Sequence, residues 1–409
     1  MTLIQTVREQ YEELPYPRRN PARELQNLHA PATSELALAN HVFWGGRQKL
    51  DSSFRALDAG CGTGDAAIFM ALQLQESGGQ VVAIDLSEAS LAVVRARAAA
   101  RGLDNLTLIQ GRLEELPSLG LAPFDYAVSA GVLHHLPMPA LGLAAIRDVL
   151  KPHGGACIML YGEHGRAAIY QMQELFKLIA PSTLAASERL QIVRDTVNGL
   201  HPDHWARLGR SSWSGEEALS GDAGLFDLFL HPIDRAYTVP QIYELLETSE
   251  MRLSRWLLPH QYEPAAYSAK LTLTGLSEAD RAATAELLNS RMQKHTFFAA
   301  HAGVAPASVP ALDDDSAIPT WLHYNAATLI TPQLETRREL ALNLEGIDYR
   351  FLLDPFRRDF LRLVDGKRSL GAILNDIDPK ASYAQRQEKW RNLYQGLQIF
   401  NVLGLSPGS

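Results

Sequence analysis

Leu57-Asp58-Ala59-Gly60-Cys61-Gly62-Thr63-Gly64-Asp65 decides the fold. An apolar run over 54–59 leads into it, and a helical pattern over 65–74 follows. A strand that turns through glycines into a helix leaves free backbone N–H groups at the helix start. Glycines at 60, 62 and 64 remove Cβ atoms where the chain turns sharply and a ligand comes close to the backbone. Asp85 closes the next apolar run, 21 residues after Gly64. A carboxylate there can accept hydrogen bonds from both hydroxyls of a ribose. The spacing is Gly-x-Gly-x-Gly, so it departs from the dinucleotide pattern Gly-x-Gly-x-x-Gly, and position 65 is acidic. Asp65 at the helix mouth and Asp58 at the strand end repel a pyrophosphate and tolerate a cationic or zwitterionic ligand.

Outward from this turn, strands and helices alternate at a spacing of about 25 residues. Apolar runs over 81–85, 106–109, 126–130 and 157–160 are separated by helical patterns over 87–101 and 140–150. Repeated βαβ units predict an α/β domain whose parallel sheet is covered on both faces. Later helical patterns fall at 169–179, 184–197, 239–247 and 277–292, with a late strand at 252–258 and a Ser/Gly-rich loop at 210–224. The predicted organisation is an N-terminal arm or lid (1–50) and an α/β domain (51–262) carrying a helical insertion (162–235). A helical segment and linker (263–319) and a C-terminal domain (320–409) follow.

The 409 residues suit two or three domains. A net charge of −8 provides no field for a phosphate backbone and disfavours a nucleic-acid substrate. Two cysteines, Cys61 and Cys157, make no disulfide framework, which points to a reducing, cytoplasmic setting. The first 19 residues contain Glu9, Glu12 and Glu13 and lack the apolar core of a signal peptide. No apolar run is long enough to span a membrane, so no membrane partner is expected.

Four blocks, in order, resemble the class I S-adenosylmethionine-dependent methyltransferases. They are the glycine turn quoted above and Val82-Ala83-Ile84-Asp85-Leu86-Ser87. The third joins Phe124-Asp125-Tyr126-Ala127-Val128 to Gly131-Val132-Leu133-His134-His135-Leu136, and the fourth is Val149-Leu150-Lys151-Pro152-His153-Gly154-Gly155. The resemblance covers residues 54–160 and, more weakly, 236–262. It implies a Rossmann-like seven-stranded sheet with S-adenosyl-L-methionine as cofactor across the strand C-termini. It also implies methyl transfer to a peptide or protein side chain or a small metabolite, with the N-, O- or C-acceptor open. Asp58, Gly60, Cys61, Gly62, Thr63 and Gly64 would surround the methionine part, and Asp85 with Leu86 the ribose. Arg112 and Leu113 would lie by the adenine, and Ala130 and Gly131 at the end of the fourth strand. Such families often place an acid after the third strand for the adenine amine. This chain has Arg112 there, and a guanidinium has donors only. Two other readings share the fold: a non-catalytic regulator that binds the same cofactor, and a carboxymethyl-transferring or tRNA-modifying relative.

Tyr161, Glu163 and His164 leave the fifth strand where open α/β sheets bind ligands, so they are candidates to face the acceptor, with His164 as general base. The plainer reading is a flexible turn into the insertion. His134 and His135 follow the fourth strand and read either as a base or as a packed pair. Tyr11, Tyr16, Arg18 and Arg19 read as a lid or a surface arm. His201, His204, Trp205 and Trp213 read as a metal or aromatic cluster, but His201-x-x-His204 is the one close histidine pair there and has no nearby cysteine, so no metal is expected. The C-terminal pattern, a turn and helix over 363–374 and an apolar stripe at Leu393, Leu397 and Phe400, is similar to small winged-helix modules, including PqqD-like leader-peptide binders. That resemblance implies peptide or protein recognition. A structural or dimerising role, and with it a homodimer, is the alternative.

Overall fold

The computed structural model describes residues 3–204, 221–268, 270–324, 326–344 and 347–408. They divide into two compact units, Met1–Ser34 with Leu50–Leu253 and Gln261–Ala302, and Glu35–Lys49 with Ser254–His260 and Gly303–Ser409.

The main sheet is built on β1 (Arg55–Ala59), β2 (Gln80–Asp85), β3 (Leu106–Gln110), β4 (Phe124–Ala130), β5 (Leu150–Tyr161), β6 (Met251–Trp256) and β7 (Lys294–His301). Their order across the seven-stranded sheet is β3-β2-β1-β4-β5-β7-β6. Strands β1 to β5 pair in parallel, and β7 runs antiparallel to β5 with His295 opposite Leu160. Ala56 to Ala59 are all buried, as expected of a central strand covered on both faces. Strand order reverses at β1, between β2 and β4, and the crevice beyond their C-terminal ends is where such sheets bind ligands.

The helices form where the sequence places start and stop signals. Ser87 caps the helix Glu88–Arg101 by accepting the Ser90 N–H at 3.0 Å, and Gly102 ends it at φ 66°. In the insertion, the helices Ala167–Ile179, Ala186–Gly199 and Asp222–Leu230 pack a core of their own from Ile169, Met172, Phe176, Leu190, Val193 and Phe229. The Ser/Gly-rich stretch falls largely on residues 205–220, outside the described residues. Among the described residues no helix is long and apolar enough to cross a membrane.

Two expectations need correcting. Residues 263–319 are not only a helical segment and linker, because they supply the seventh strand. In β7 the run Phe297-Phe298-Ala299-Ala300 is buried against β5, and continuous apolar character marks a covered strand. The proline-containing stretch 303–319 belongs to the smaller unit. There Ala317 is fully buried and its carbonyl accepts the Leu370 N–H at 2.7 Å. Prolines restrict φ, but they do not prevent a loop from packing.

In the smaller unit, β8 (Ile318–Trp321) and the terminal β11 (Leu403–Ser406) pair antiparallel, and β9 (Glu339–Leu344) and β10 (Ile347–Leu352) form a hairpin. The helices Pro355–Arg362, Leu370–Asp376 and Tyr383–Gln398 surround a stack of Phe360 on Trp390, with ring centroids 4.6 Å apart.

Candidate active site

The C-terminal ends of β1 to β5 share one edge of the sheet. At β1 the chain enters left-handed conformations at Gly60, Gly62 and Gly64, with φ of 87°, 51° and 92°. Gly62 has no room for a side chain, since a Cβ would sit 2.5 Å from the Tyr16 carbonyl oxygen. Asp85, at the end of β2, holds this turn. One carboxylate oxygen accepts the Gly62 N–H at 2.8 Å, and the other accepts the Ser87 N–H at 2.9 Å. Burial pushes its carboxyl above the usual range. With backbone donors on both oxygens, the carboxylate still has capacity for a ligand hydroxyl. Asp58 accepts the Ala67 N–H at 2.8 Å in the first turn of the helix Asp65–Leu74, and burial raises its pKa to about 7.

The N-terminal arm closes over this turn. The Tyr16 carbonyl accepts the Thr63 N–H at 3.2 Å, and the Pro17 carbonyl accepts the Thr63 hydroxyl at 2.6 Å. The Tyr11 carbonyl accepts the Ser87 hydroxyl, and the Glu12 carboxylate caps the N–H groups of Glu88 and Ala89. A buried ion network fastens the arm. Arg19 chelates Asp65, Arg97 bridges Glu24 and Asp65, and Arg101 reaches Glu24 at 2.6 Å. Burial works against the ionised Asp65, but Arg19 and then Arg97 outweigh it and hold its carboxyl below the usual range. This revises the electrostatic reading of the sequence: Asp65 is neutralised, and it anchors the arm instead of projecting negative charge at a ligand.

The remaining donor-side candidates line the same edge. Cys61 is buried in the turn, and burial pushes its thiol well up, so it packs as a small residue. Arg112 occupies the cap before the short helix Leu113–Leu119, where its N–H is accepted by Glu115 at 3.1 Å. Leu113 is buried, Leu86 is half-buried, and Ala130 and Gly131 lie at the end of β4 with Ala130 exposed.

Beyond β4 and β5, a second set of side chains gathers. His134 is fully buried and stacks on Tyr161 with ring centroids 3.9 Å apart. Neither of its ring nitrogens has a hydrogen-bond partner among the described residues. Burial first, then the neighbouring His135, hold its pKa well below the ordinary imidazole value. His135 meets the Ile233 carbonyl through Nδ1 at 2.6 Å, and its ring lies 3.8 Å from that of His231. The Arg166 guanidinium sits 3.5 Å over the Tyr161 ring and faces Asp234. Asp227 is buried and accepts the Tyr11 hydroxyl at 2.9 Å.

Of the sequence candidates, Tyr161, His134 and His135 are therefore brought together. Glu163 is exposed and His164 half-buried, and His164 makes no hydrogen bond, ion pair or ring contact among the described residues. Sequence reasoning missed Asp227 and His231. The available signal was an acid inside the otherwise apolar Phe226-Asp227-Leu228-Phe229-Leu230-His231, four residues before a histidine and so on one helix face. His201 is exposed, and Trp205 and Trp213 lie outside the described residues.

Comparison with known proteins agrees with this architecture. Residues 50–208 match the family model described as a methyltransferase domain. The chain is 30% identical over 267 residues to an uncharacterised protein of Synechococcus sp., covering 63% of each. It is 36% identical over 100 residues to the ubiquinone biosynthesis O-methyltransferase of Nitrosococcus oceani, covering 24% of this chain and 40% of that protein. The chain thus spans 40% to 63% of the length of these two relatives. Among solved structures, PKMT2 from Rickettsia typhi in complex with AdoHcy superposes with a TM-score of 0.65 at 13% identity, covering 92% of this chain and 76% of that one. Strands β1 to β5 and the glycine turn with its acid at the end of β2 fall within residues 50–208, the stretch that matches the model of a methyltransferase domain.

Proposed function

We propose that the protein is an S-adenosyl-L-methionine-dependent methyltransferase whose acceptor is a peptide or protein side chain or a small metabolite. The observation that carries this reading is the Asp85 carboxylate, which braces the glycine turn through Gly62 while keeping lone pairs free at the strand edge. The residues present fit the donor. The glycines let the turn pack closely against Val132 and the Tyr16 carbonyl, and Asp85 can accept a ligand hydroxyl. Asp65, spent on arginines, does not compete for an ammonium. Adenine recognition falls to the backbone near Leu113, since Arg112 offers donors only.

When bound, the donor supplies a methyl carbon activated by an adjacent sulfonium. The chain's own contribution is placement. The arm, held by Thr63 and Asp65, covers the turn and excludes water. Holding the reacting atoms aligned and dry can supply about 7–11 kcal/mol. His134, stacked on Tyr161 and unpartnered at both ring nitrogens, is the group we assign to take a proton from an acceptor that carries one. The smaller unit is assigned to acceptor selection, on the resemblance of its sequence pattern over 363–374 to leader-peptide binders. The two buried free cysteines suit a reducing compartment such as the cytoplasm.

The test uses the full chain, methyl-labelled donor and a cell extract separated by size. Label in the protein fraction supports a peptide acceptor, and label in the small-molecule fraction supports a metabolite. A protein that binds S-adenosylhomocysteine but labels nothing across all fractions is the regulator instead.

A further inference from the structure

We propose that His135, Asp227 and His231 form a binding site for one divalent transition-metal ion of the Zn2+/Fe2+ class. One ligand atom from each lies within 4.8 Å of the others, and all three residues are buried. Two imidazoles and one carboxylate are the donor set that suits zinc and iron, whereas calcium and magnesium take oxygen ligands.

Two of the three ligands are already oriented from outside. A carbonyl oxygen only accepts, so the 2.6 Å contact with Ile233 places the His135 proton on Nδ1 and leaves an electron pair on Nε2. Histidine ligands in metal sites are commonly held in this way. Asp227 receives the Tyr11 hydroxyl on one oxygen and keeps the other available. The Nε2 of His231 is buried without a hydrogen-bond partner and, because Nδ1 accepts the Ile233 N–H, it carries the ring proton that ligation would displace. Ligation there moves the His231 proton to Nδ1 and gives up one backbone contact, the Ile233 N–H at 3.1 Å. The three ligands come from two segments, the turn after β4 and the helix Asp222–Leu230 with its cap, so the ion would also tie the insertion to the sheet.

The charge environment supports a cation. Asp227 is fully buried, and a second acid, Asp234, acts on it from nearby. Arg166 also acts on Asp227, but its guanidinium faces Asp234 and stacks on Tyr161. A role in catalysis rests on the methyltransferase reading: a metal beside His134 and Tyr161 would lower the pKa of an acceptor hydroxyl or amine bound to it. The metal site itself does not depend on that reading.

The experiment uses the tag-free full chain, stripped of metal and titrated with Co2+ as a spectroscopic probe and Zn2+ for stoichiometry. The expected result is one equivalent of each ion and a Co2+ d–d band. Both are lost in Asp227→Asn and His231→Gln, while S-adenosylhomocysteine still raises the melting temperature of these variants. Zinc K-edge absorption of the unmutated protein should show a first shell of nitrogen and oxygen with imidazole scattering, which keeps the test decisive if a variant does not fold. Binding that is substoichiometric with every ion, a band unchanged in both variants, or a shell containing sulfur would overturn the proposal. Loss of S-adenosylhomocysteine binding by the unmutated protein would instead strike the functional reading and leave the metal result standing.

Discussion

The glycine turn at β1 and the histidine cluster beyond β4 share one edge of one sheet but are assembled in opposite ways. The turn is local: Gly60 to Gly64 are contiguous, Asp85 is one βαβ unit away, and backbone hydrogen bonds set the geometry. The cluster is remote: Tyr11, His135, Asp227 and His231 come from the arm, the turn after β4 and the insertion, and side-chain packing sets the geometry. A site defined by backbone conformation leaves a mark in sequence, because only glycine tolerates positive φ beside a close neighbour. A site defined by packing leaves almost none.

The arm turns out to serve both regions, and breaking its attachment gives the largest expected effect. Arg97 is fully buried between Glu24, Asp65 and the Thr63 carbonyl. Arg97→Met should cost about 3–5 kcal/mol, because it leaves the buried Glu24 and the part-buried Asp65 each without one of their arginines. Chemical denaturation reads the loss. If stability is unchanged, the network does not hold the arm and the two regions are independent.

A second prediction sharpens the backbone side of the comparison. Asp58 has a folded pKa of about 7 against an ordinary 3.8, so the folded state holds an extra proton between those values. Its contribution to stability is present below pH 4 and is lost as pH rises through 7. The unmutated protein minus Asp58→Asn should therefore fall by about 2–4 kcal/mol between pH 4 and pH 8. A flat difference across that range would mean that Asp58 stays ionised in the fold, stabilised by the Ala67 N–H.

What was legible follows from these cases. The first five strands, the helices over 65–74 and 88–101 and the edge that carries the site were readable, because period, caps and glycines all agree there. Strand β7 was not, since a short apolar run after a helix does not announce which strand it pairs with. Asp65 was read as a bare charge because its partners Arg19 and Arg97 lie 46 and 32 residues away in opposite directions. His164 stood out in sequence by its polar neighbours, yet the buried His134 and His135 are the ones that meet Tyr161.

The smallest expected effect lies in that loop. Glu163 and His164 are outside the cluster, so His164→Gln should change stability by less than about 0.5 kcal/mol and leave S-adenosylhomocysteine affinity unaltered. Calorimetric titration and a melting curve suffice. A large loss in either would return this residue to the site and weaken the assignment of His134.

The central claim is that the Asp85-braced glycine turn holds the donor. Isothermal titration of S-adenosylhomocysteine into the unmutated protein and into Asp85→Ala, with NAD as the control ligand, tests it most directly. The account predicts binding of S-adenosylhomocysteine and not of NAD. It also predicts an affinity loss of roughly 10- to 100-fold in the variant, from one or two charged hydrogen bonds worth about 1.5–3 kcal/mol each. An unchanged affinity in a folded Asp85→Ala protein, or binding of NAD in place of S-adenosylhomocysteine, would contradict it.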